Sequence, residues 1–211
     1  MEDKTMKNIE NLEENKFAYF WNAIHYRIWL RVSSSYHFGD KYFDRFTHYL
    51  IERFKTGEEK EKAYQRLNEE KKKGEAFYKD KKAGFGVGMA DDIAGGIYTA
   101  YTFFPFYFIT GAVIDRLTGI PAINPIVFIP LIIVDIFVIF KPFRKAVFDN
   151  DRYLKYYKIF EKKDAAWHRK WKRITIMLIL GVVPYMFICG IAMLEILGMP
   201  AFQIIVDAIF K

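Results

Sequence analysis

The sequence is poor in the residues that usually carry catalysis or covalent cross-links. It has one cysteine, Cys189, so no disulfide can form within the chain and no cysteine-based zinc site is available. Its four histidines form no His-Glu-x-x-His pattern, and no serine stands in a nucleophile elbow. The glycine-rich stretch 84–88 lacks the Gly-Lys-Ser/Thr ending of a nucleotide-binding loop. We therefore expect no metal, no cofactor and no catalytic residue, which disfavours an enzyme.

The first residues, up to Lys16, are charged rather than apolar, so no cleavable secretory signal is expected. Three long apolar runs follow further along, at 93–114, 123–140 and 174–197. Each has roughly the 17 to 25 apolar residues that a helix needs to cross a bilayer core. The short link 115–122 joins the first two runs into a hairpin. The sequence thus predicts an all-α integral membrane protein with three transmembrane helices.

Positive charge is concentrated in the loop 141–173, which has 12 Lys/Arg and 4 Asp/Glu. The link between the first two runs has a single basic residue, Arg116. The positive-inside rule then places the loop and the N-terminal region in the cytoplasm and the C-terminus on the far side, with a bacterial inner membrane favoured. The predicted segments are a cytoplasmic helical region at 1–90, a transmembrane hairpin at 91–140, a basic amphipathic cytoplasmic loop at 141–173, and the third transmembrane helix with an interfacial or re-entrant tail at 174–211.

The N-terminal region is predicted to be a hairpin of two amphipathic helices, followed by a charged helix at 58–73 and a flexible hinge at 84–88. Apolar residues recur every three or four positions over 17–32, which indicates the first helix. The serines and glycine within 33–39 are expected to break it. The second helix has a stripe formed by Phe43, Phe46, Leu50 and Phe54. Two helices bury little surface, so these faces need cover from each other, a second copy or lipid.

The loop 141–173 has aromatic residues at helical spacing among its basic ones. They are Tyr153, Tyr156, Tyr157, Phe160, Trp167 and Trp171. One interpretation is a basic amphipathic helix lying on an anionic inner leaflet. The residues expected to bind headgroups or a partner there are Lys162, Lys163, Arg169, Lys170, Trp167 and Trp171. A second interpretation is an extension of the third span that packs on the N-terminal helices; nucleic-acid binding is the third, since basic charge alone is unspecific.

Asp135 is an ionisable residue inside the second apolar run, roughly 8 Å from its cytoplasmic end. An ionisable group at such a depth is costly, which makes it a candidate functional residue within the membrane. An ion or proton pathway is one role for it. The alternative is a structural ion pair at the interface, with a lysine of the following loop.

Arg31 and His37 are separated by five residues. This pair resembles the Arg-x(4–6)-His motif of HEPN ribonucleases. The resemblance covers two residues of the chain and implies a helical nuclease in which the arginine and the histidine act together in a dimer.

The hypothesis favoured by the sequence is a non-enzymatic integral membrane protein that self-associates, docks a cytosolic partner through its N-terminal region, or both. The alternative is a homo-oligomeric pore or membrane-perturbing effector, since three spans do not enclose a pathway in one copy. No span has a polar stripe along its full length, which favours the first hypothesis. A membrane enzyme and a HEPN-like nuclease remain as further alternatives. The expected partners are an anionic inner leaflet, further copies of the chain and a cytosolic protein, but not nucleic acid.

Overall fold

The structure is a computed structural model that describes residues 15–200, apart from the side chains of residues 36–42. These described residues form helices and no strand. The helices are α1 (Lys16–Phe54), α2 (Gly57–Lys79), α3 (Phe85–Thr118), α4 (Pro125–Val134), a π-helical turn (Asp135–Phe140), α5 (Lys141–Val147), a 3-10 turn (Asp149–Asp151), α6 (Arg152–Phe160) and α7 (Ala165–Ile196).

Three helical stretches have the length and the hydropathy to cross a membrane: Phe85–Thr118, Pro125–Phe160 and Ala165–Ile196. The predicted all-α membrane architecture is confirmed. The predicted tail helix that follows Pro200 lies outside the described residues.

The described chain forms two compact units. The span unit contains residues 15–24 and 94–200, and the hairpin unit contains residues 25–93. The first two turns of α1 therefore belong to the span unit. The four predicted segments stay a prediction.

In the hairpin unit, α2 packs antiparallel to the second half of α1. The Lys60 ammonium lies 2.6 Å from the Glu52 carboxylate, and Lys71 forms a second ion pair, at 2.6 Å, with Asp44. Gly57 begins α2 with φ +55°, a left-handed conformation that glycine adopts without a Cβ clash. The chain thus reverses within three residues of the end of α1.

This hairpin differs from the predicted one, because α1 continues through 33–39 instead of breaking there. The serine hydroxyls find acceptors within the helix itself. Ser34 donates to the Arg31 carbonyl at 2.9 Å, and Ser35 donates to the Val32 carbonyl at 2.7 Å. A hydroxyl that bonds back to the preceding turn leaves the helical backbone bonds intact, so serines alone do not end the helix.

The glycine-rich stretch 84–88 differs from its prediction as a hinge, because Gly86 and Gly88 lie in the first turns of α3. A Cβ added to Gly86 would stand 2.5 Å from the Tyr78 carbonyl oxygen and 2.8 Å from the Ser33 hydroxyl. A Cβ added to Gly88 would meet nothing within 4 Å. Gly86 therefore allows α1, the end of α2 and the start of α3 to approach closely, which needs a residue without a side chain.

We expect Gly86→Ala to destabilise the protein by about 1 to 3 kcal/mol, because a methyl group must displace a backbone carbonyl. Gly88→Ala is the matched control. It should stabilise α3 by up to about 1 kcal/mol, since alanine is the better helix former. Thermal unfolding of both variants in detergent, followed by circular dichroism, compares them. Equal shifts of the two midpoints would show that the close approach at Gly86 is unimportant.

The core of the span unit is aromatic and lies where the start of α1 meets α3 and α5. Phe143, which is fully buried, stacks on Tyr98 with ring centroids 4.6 Å apart. Trp21 contacts both rings edge-on, at 5.3 Å and 5.1 Å. Residues from three helices thus share one cluster, which holds α5 directly after the second apolar stretch.

The spans also bond to one another through backbone carbonyls. Tyr101 of α3 donates to the Leu178 carbonyl of α7 at 2.9 Å, beside Gly181. At the other end of these helices, Arg116 donates to the Ile196 carbonyl at 2.5 Å. These two side-chain bonds join α3 to α7.

Candidate functional site

An exposed apolar surface lies on the second half of α1 in the hairpin unit. It consists of Phe43, Phe46, Tyr49, Leu50 and Phe54, here called the aromatic stripe, whose members are 36% to 75% exposed. Ile51, in contrast, is buried, because it lies on the side of α1 that faces α2. At the size of aromatic side chains, the stripe exposes on the order of 500 Å². That matches the largest apolar patches of monomeric proteins, which are often functional.

Helix α2 makes polar contacts with the part of α1 that carries the aromatic stripe. Glu52 accepts hydrogen bonds from Lys60 at 2.6 Å and from the Tyr64 hydroxyl at 2.8 Å. These bonds lower the pKa of Glu52, with Lys60 the larger cause, and the same contact raises the pKa of Lys60. The stabilisation that the Glu52 carboxylate gives to the hairpin is fully present at pH values above the usual pKa of a carboxyl group. It is lost as the pH falls through the lowered pKa of Glu52. Near neutral pH, α2 therefore holds α1 in place.

The predicted aromatic helix of the loop 141–173 is two helices in the structure. Helix α6 ends at Phe160, the chain turns, and Asp164 caps α7 by accepting a hydrogen bond from the Trp167 amide at 2.8 Å. The six aromatic residues therefore do not form one continuous helical face. The helical spacing of the sequence does not reveal this interruption, because the turn 161–164 contains neither glycine nor proline.

The aromatic residues of this region face the protein rather than an outer surface. Tyr156 and Phe160 are buried, and both contact Tyr19 of α1 edge-on, at 6.3 Å and 5.2 Å. Trp171 is buried beside Phe20 at 5.6 Å, and the Trp167 indole donates to the Tyr19 hydroxyl at 2.8 Å. The arrangement corresponds to the second interpretation of this loop, an extension of the third span that packs on the N-terminal helix.

The basic residues predicted to bind headgroups have two kinds of surroundings. Lys163 is half-buried in the turn before α7 and lines a cavity with Trp171, together with Lys16, Tyr19 and Phe20. Lys162 is exposed in the same turn, and Arg169 and Lys170 are exposed on α7. Of the predicted set, the structure thus brings Lys163 and Trp171 to one cavity, while the charges of Lys162, Arg169 and Lys170 remain on the surface.

Asp135 stands at the first position of the π-helical turn and is half-buried. The turn leads into Pro142, which lacks the N–H needed to continue the regular hydrogen-bond ladder. Tyr98 of α3 donates to the Ile139 carbonyl at 2.8 Å, so a neighbouring side chain bonds to one carbonyl of the turn. The ion-pathway and interfacial hypotheses for Asp135 both remain predictions.

Arg31 is exposed on α1, and the helix continues without a break to the position of His37. The His37 side chain lies outside the described ones. The HEPN resemblance therefore stays a prediction.

His25 is one of the four histidines of the chain. It is fully buried, and its Nε2 lies 2.6 Å from a carboxylate oxygen of Asp91, which is 37% exposed. Buried polar groups are nearly always hydrogen-bonded, so this pair ties α1 to α3 inside the hairpin unit. No sequence signal indicates the pairing, because 66 residues separate the partners.

Among the described residues, no group of three or more histidine, cysteine, aspartate or glutamate side chains is placed to hold a metal ion. No protein-family model matches the chain, and no curated protein or solved structure is significantly similar to it.

Proposed function

We propose that this chain is a non-enzymatic integral membrane protein that self-associates through the aromatic stripe of α1. The observation that carries the proposal is an apolar face of five side chains on a helical hairpin, each 36% to 75% exposed. Exposed patches of this size, rimmed by polar residues, are typical of protein interaction sites.

A second copy is the occupant that fits the area of the stripe. A stable interface buries about 800 Å² on each partner, of which a little over half is apolar. The aromatic stripe exposes on the order of 500 Å², which is about the apolar area that one partner of such an interface buries. A two-fold axis across α1 would bring the aromatic stripes of the two copies together. The two stripes would then cover each other, and no further surface is needed. A cytosolic partner of different sequence is the competing occupant.

For location, we propose a bacterial inner membrane with the hairpin unit and the loop 141–173 in the cytoplasm and the C-terminus on the far side. The support is the charge asymmetry of the loop, 12 basic against 4 acidic residues. This orientation places the aromatic stripe in water. Removing apolar surface from water is favourable, so association that covers the stripe is stabilised there.

The first test is the mass of the full chain in detergent or nanodiscs, by native mass spectrometry or light scattering. We expect a dimer. A monomer over the micromolar range would contradict self-association and direct attention to a cytosolic partner. A closed ring of several copies would contradict the dimer and favour the pore hypothesis, to be followed by conductance recordings.

A further inference from the structure

A cavity of about 610 Å³ lies along α5 and the 3-10 turn that follows it, in the span unit. The described residues that line it are Lys141, Arg144, Lys145, Phe148, Asp149 and Asn150. The volume is within the range of sites for small molecules and headgroups. The three basic residues stand at positions i, i+3 and i+4 of one helix, so they share a face.

The basic residues of this cavity are not neutralised by the protein. Within the described chain, no ion pair involves Lys141, Arg144 or Lys145, and all three side chains are exposed. Among the described residues that line the cavity, Asp149 is the one carboxylate. These three cations and one anion leave two net positive charges, which suits a ligand with two negative charges.

The backbone leaves the right-handed helical conformation beside the cavity. Asn150 and Asp151 both have left-handed conformations, with φ of 55° and 52°. Asn and Asp are the non-glycine residues that adopt this conformation most readily. On the opposite side of α5, the buried Asn22 amide donates to the Ala146 carbonyl at 3.0 Å. This bond anchors the helix that carries the three cations.

The position along the chain indicates where the ligand comes from. Lys141 directly follows the apolar stretch that ends at Phe140, so its ammonium reaches the level of lipid phosphates. Phe137 and Val138, one turn earlier, are each 64% exposed and offer an apolar surface for acyl chains. At the level of the lipid headgroups, phosphate is the anionic group that Arg and Lys side chains bind.

We infer that Lys141, Arg144, Lys145 and Asn150 form a binding site for the phosphate headgroup of an anionic lipid, and that a headgroup with two phosphates fits best. Arg144 donates to a phosphate through its guanidinium fork, while the two lysines supply charge. The site is separate from Lys162, Lys163, Arg169 and Lys170, and it does not depend on self-association.

The test is native mass spectrometry of the full chain titrated with three lipids: diphosphatidylglycerol, phosphatidylglycerol and phosphatidylcholine. We expect affinity to fall in that order. Arg144→Gln should weaken the binding of diphosphatidylglycerol about tenfold, the effect of losing one charge-assisted contact. Arg144 is exposed, so the variant keeps the fold. Arg144→Lys keeps the charge but loses the guanidinium fork. Its affinity for diphosphatidylglycerol should lie between those of the unchanged chain and of Arg144→Gln.

The matched control is Arg169→Gln, which removes the same charge from an exposed position on α7. Its affinity for diphosphatidylglycerol should equal that of the unchanged chain. Equal loss in both glutamine variants, or no loss in Arg144→Gln, would overturn the site in favour of unspecific attraction to basic surface. Inorganic phosphate and glycerol phosphate form the last arm: binding as tight as that of the lipid would assign the cavity to a soluble phosphate instead.

Discussion

Replacing Phe46 and Phe54 together with aspartate should convert the proposed dimer to a monomer. Both side chains are largely exposed in one copy, at 60% and 75%, and would become dry in the interface. Aromatic anchors at the centre of an interface contribute about 2 kcal/mol or more each, and a two-fold dimer contains every anchor twice. Burying carboxylates in their place adds a further penalty. We expect the dissociation constant to rise at least about a thousandfold.

The control is Phe77→Asp, on α2 of the same hairpin unit. Phe77 is 54% exposed but lies outside the aromatic stripe, so the substitution adds a charge without touching the proposed interface. Its mass distribution should match that of the unchanged chain. Native mass spectrometry across a concentration series measures all variants, and thermal unfolding checks that each is folded. Persistence of the dimer in the double variant would rule out the stripe as the interface.

The second large effect is expected from Phe143→Ala, in the aromatic core of the span unit. Besides Tyr98 and Trp21, the buried ring contacts Phe140 at 5.6 Å and Phe148 at 5.9 Å. Removing a buried phenyl group costs about 3 to 5 kcal/mol, because the surrounding rings fill the cavity only in part. The midpoint of thermal unfolding in detergent should fall by about 10 °C.

Phe137→Ala serves as the matched control for this variant. Phe137 precedes Phe143 by six residues and is 64% exposed, so its loss opens no cavity. Its free energy of unfolding should change by less than about 0.5 kcal/mol. Similar losses in the two variants would mean that the cluster around Phe143 does not stabilise the fold.

The spans were predictable because they depend on local composition alone. A run of about twenty apolar residues has to form a helix in a membrane, whatever the rest of the chain does. The positions of Phe43, Phe46, Leu50 and Phe54 on one face of α1 were predictable for a similar reason, since helical periodicity orders them without any tertiary contact. Tyr49, three residues after Phe46, fits the same spacing and widens this face, although the predicted stripe did not include it.

The covering of an apolar face is not a local property. Tyr156 and Phe160 have the spacing of a helix on a lipid surface, yet Tyr19, more than a hundred residues earlier, covers them. Gly86 and Gly88 are equivalent in sequence, but only one of them meets a neighbouring helix. Periodicity states that a face is apolar and does not state what packs on it.

The sequence by itself determined the all-α class, the three spans and the concentration of positive charge in one loop, because length, hydropathy and charge are sums over neighbouring residues. Only the tertiary structure decided that α1 is continuous, that His25 meets Asp91, and that three unpaired cations of α5 line one cavity. These features depend on contacts between residues that are distant in the sequence. Other ways of packing the same helices would have the same local pattern of hydropathy and charge. The free energy that selects among them comes from packing, which appears only when the whole chain is folded.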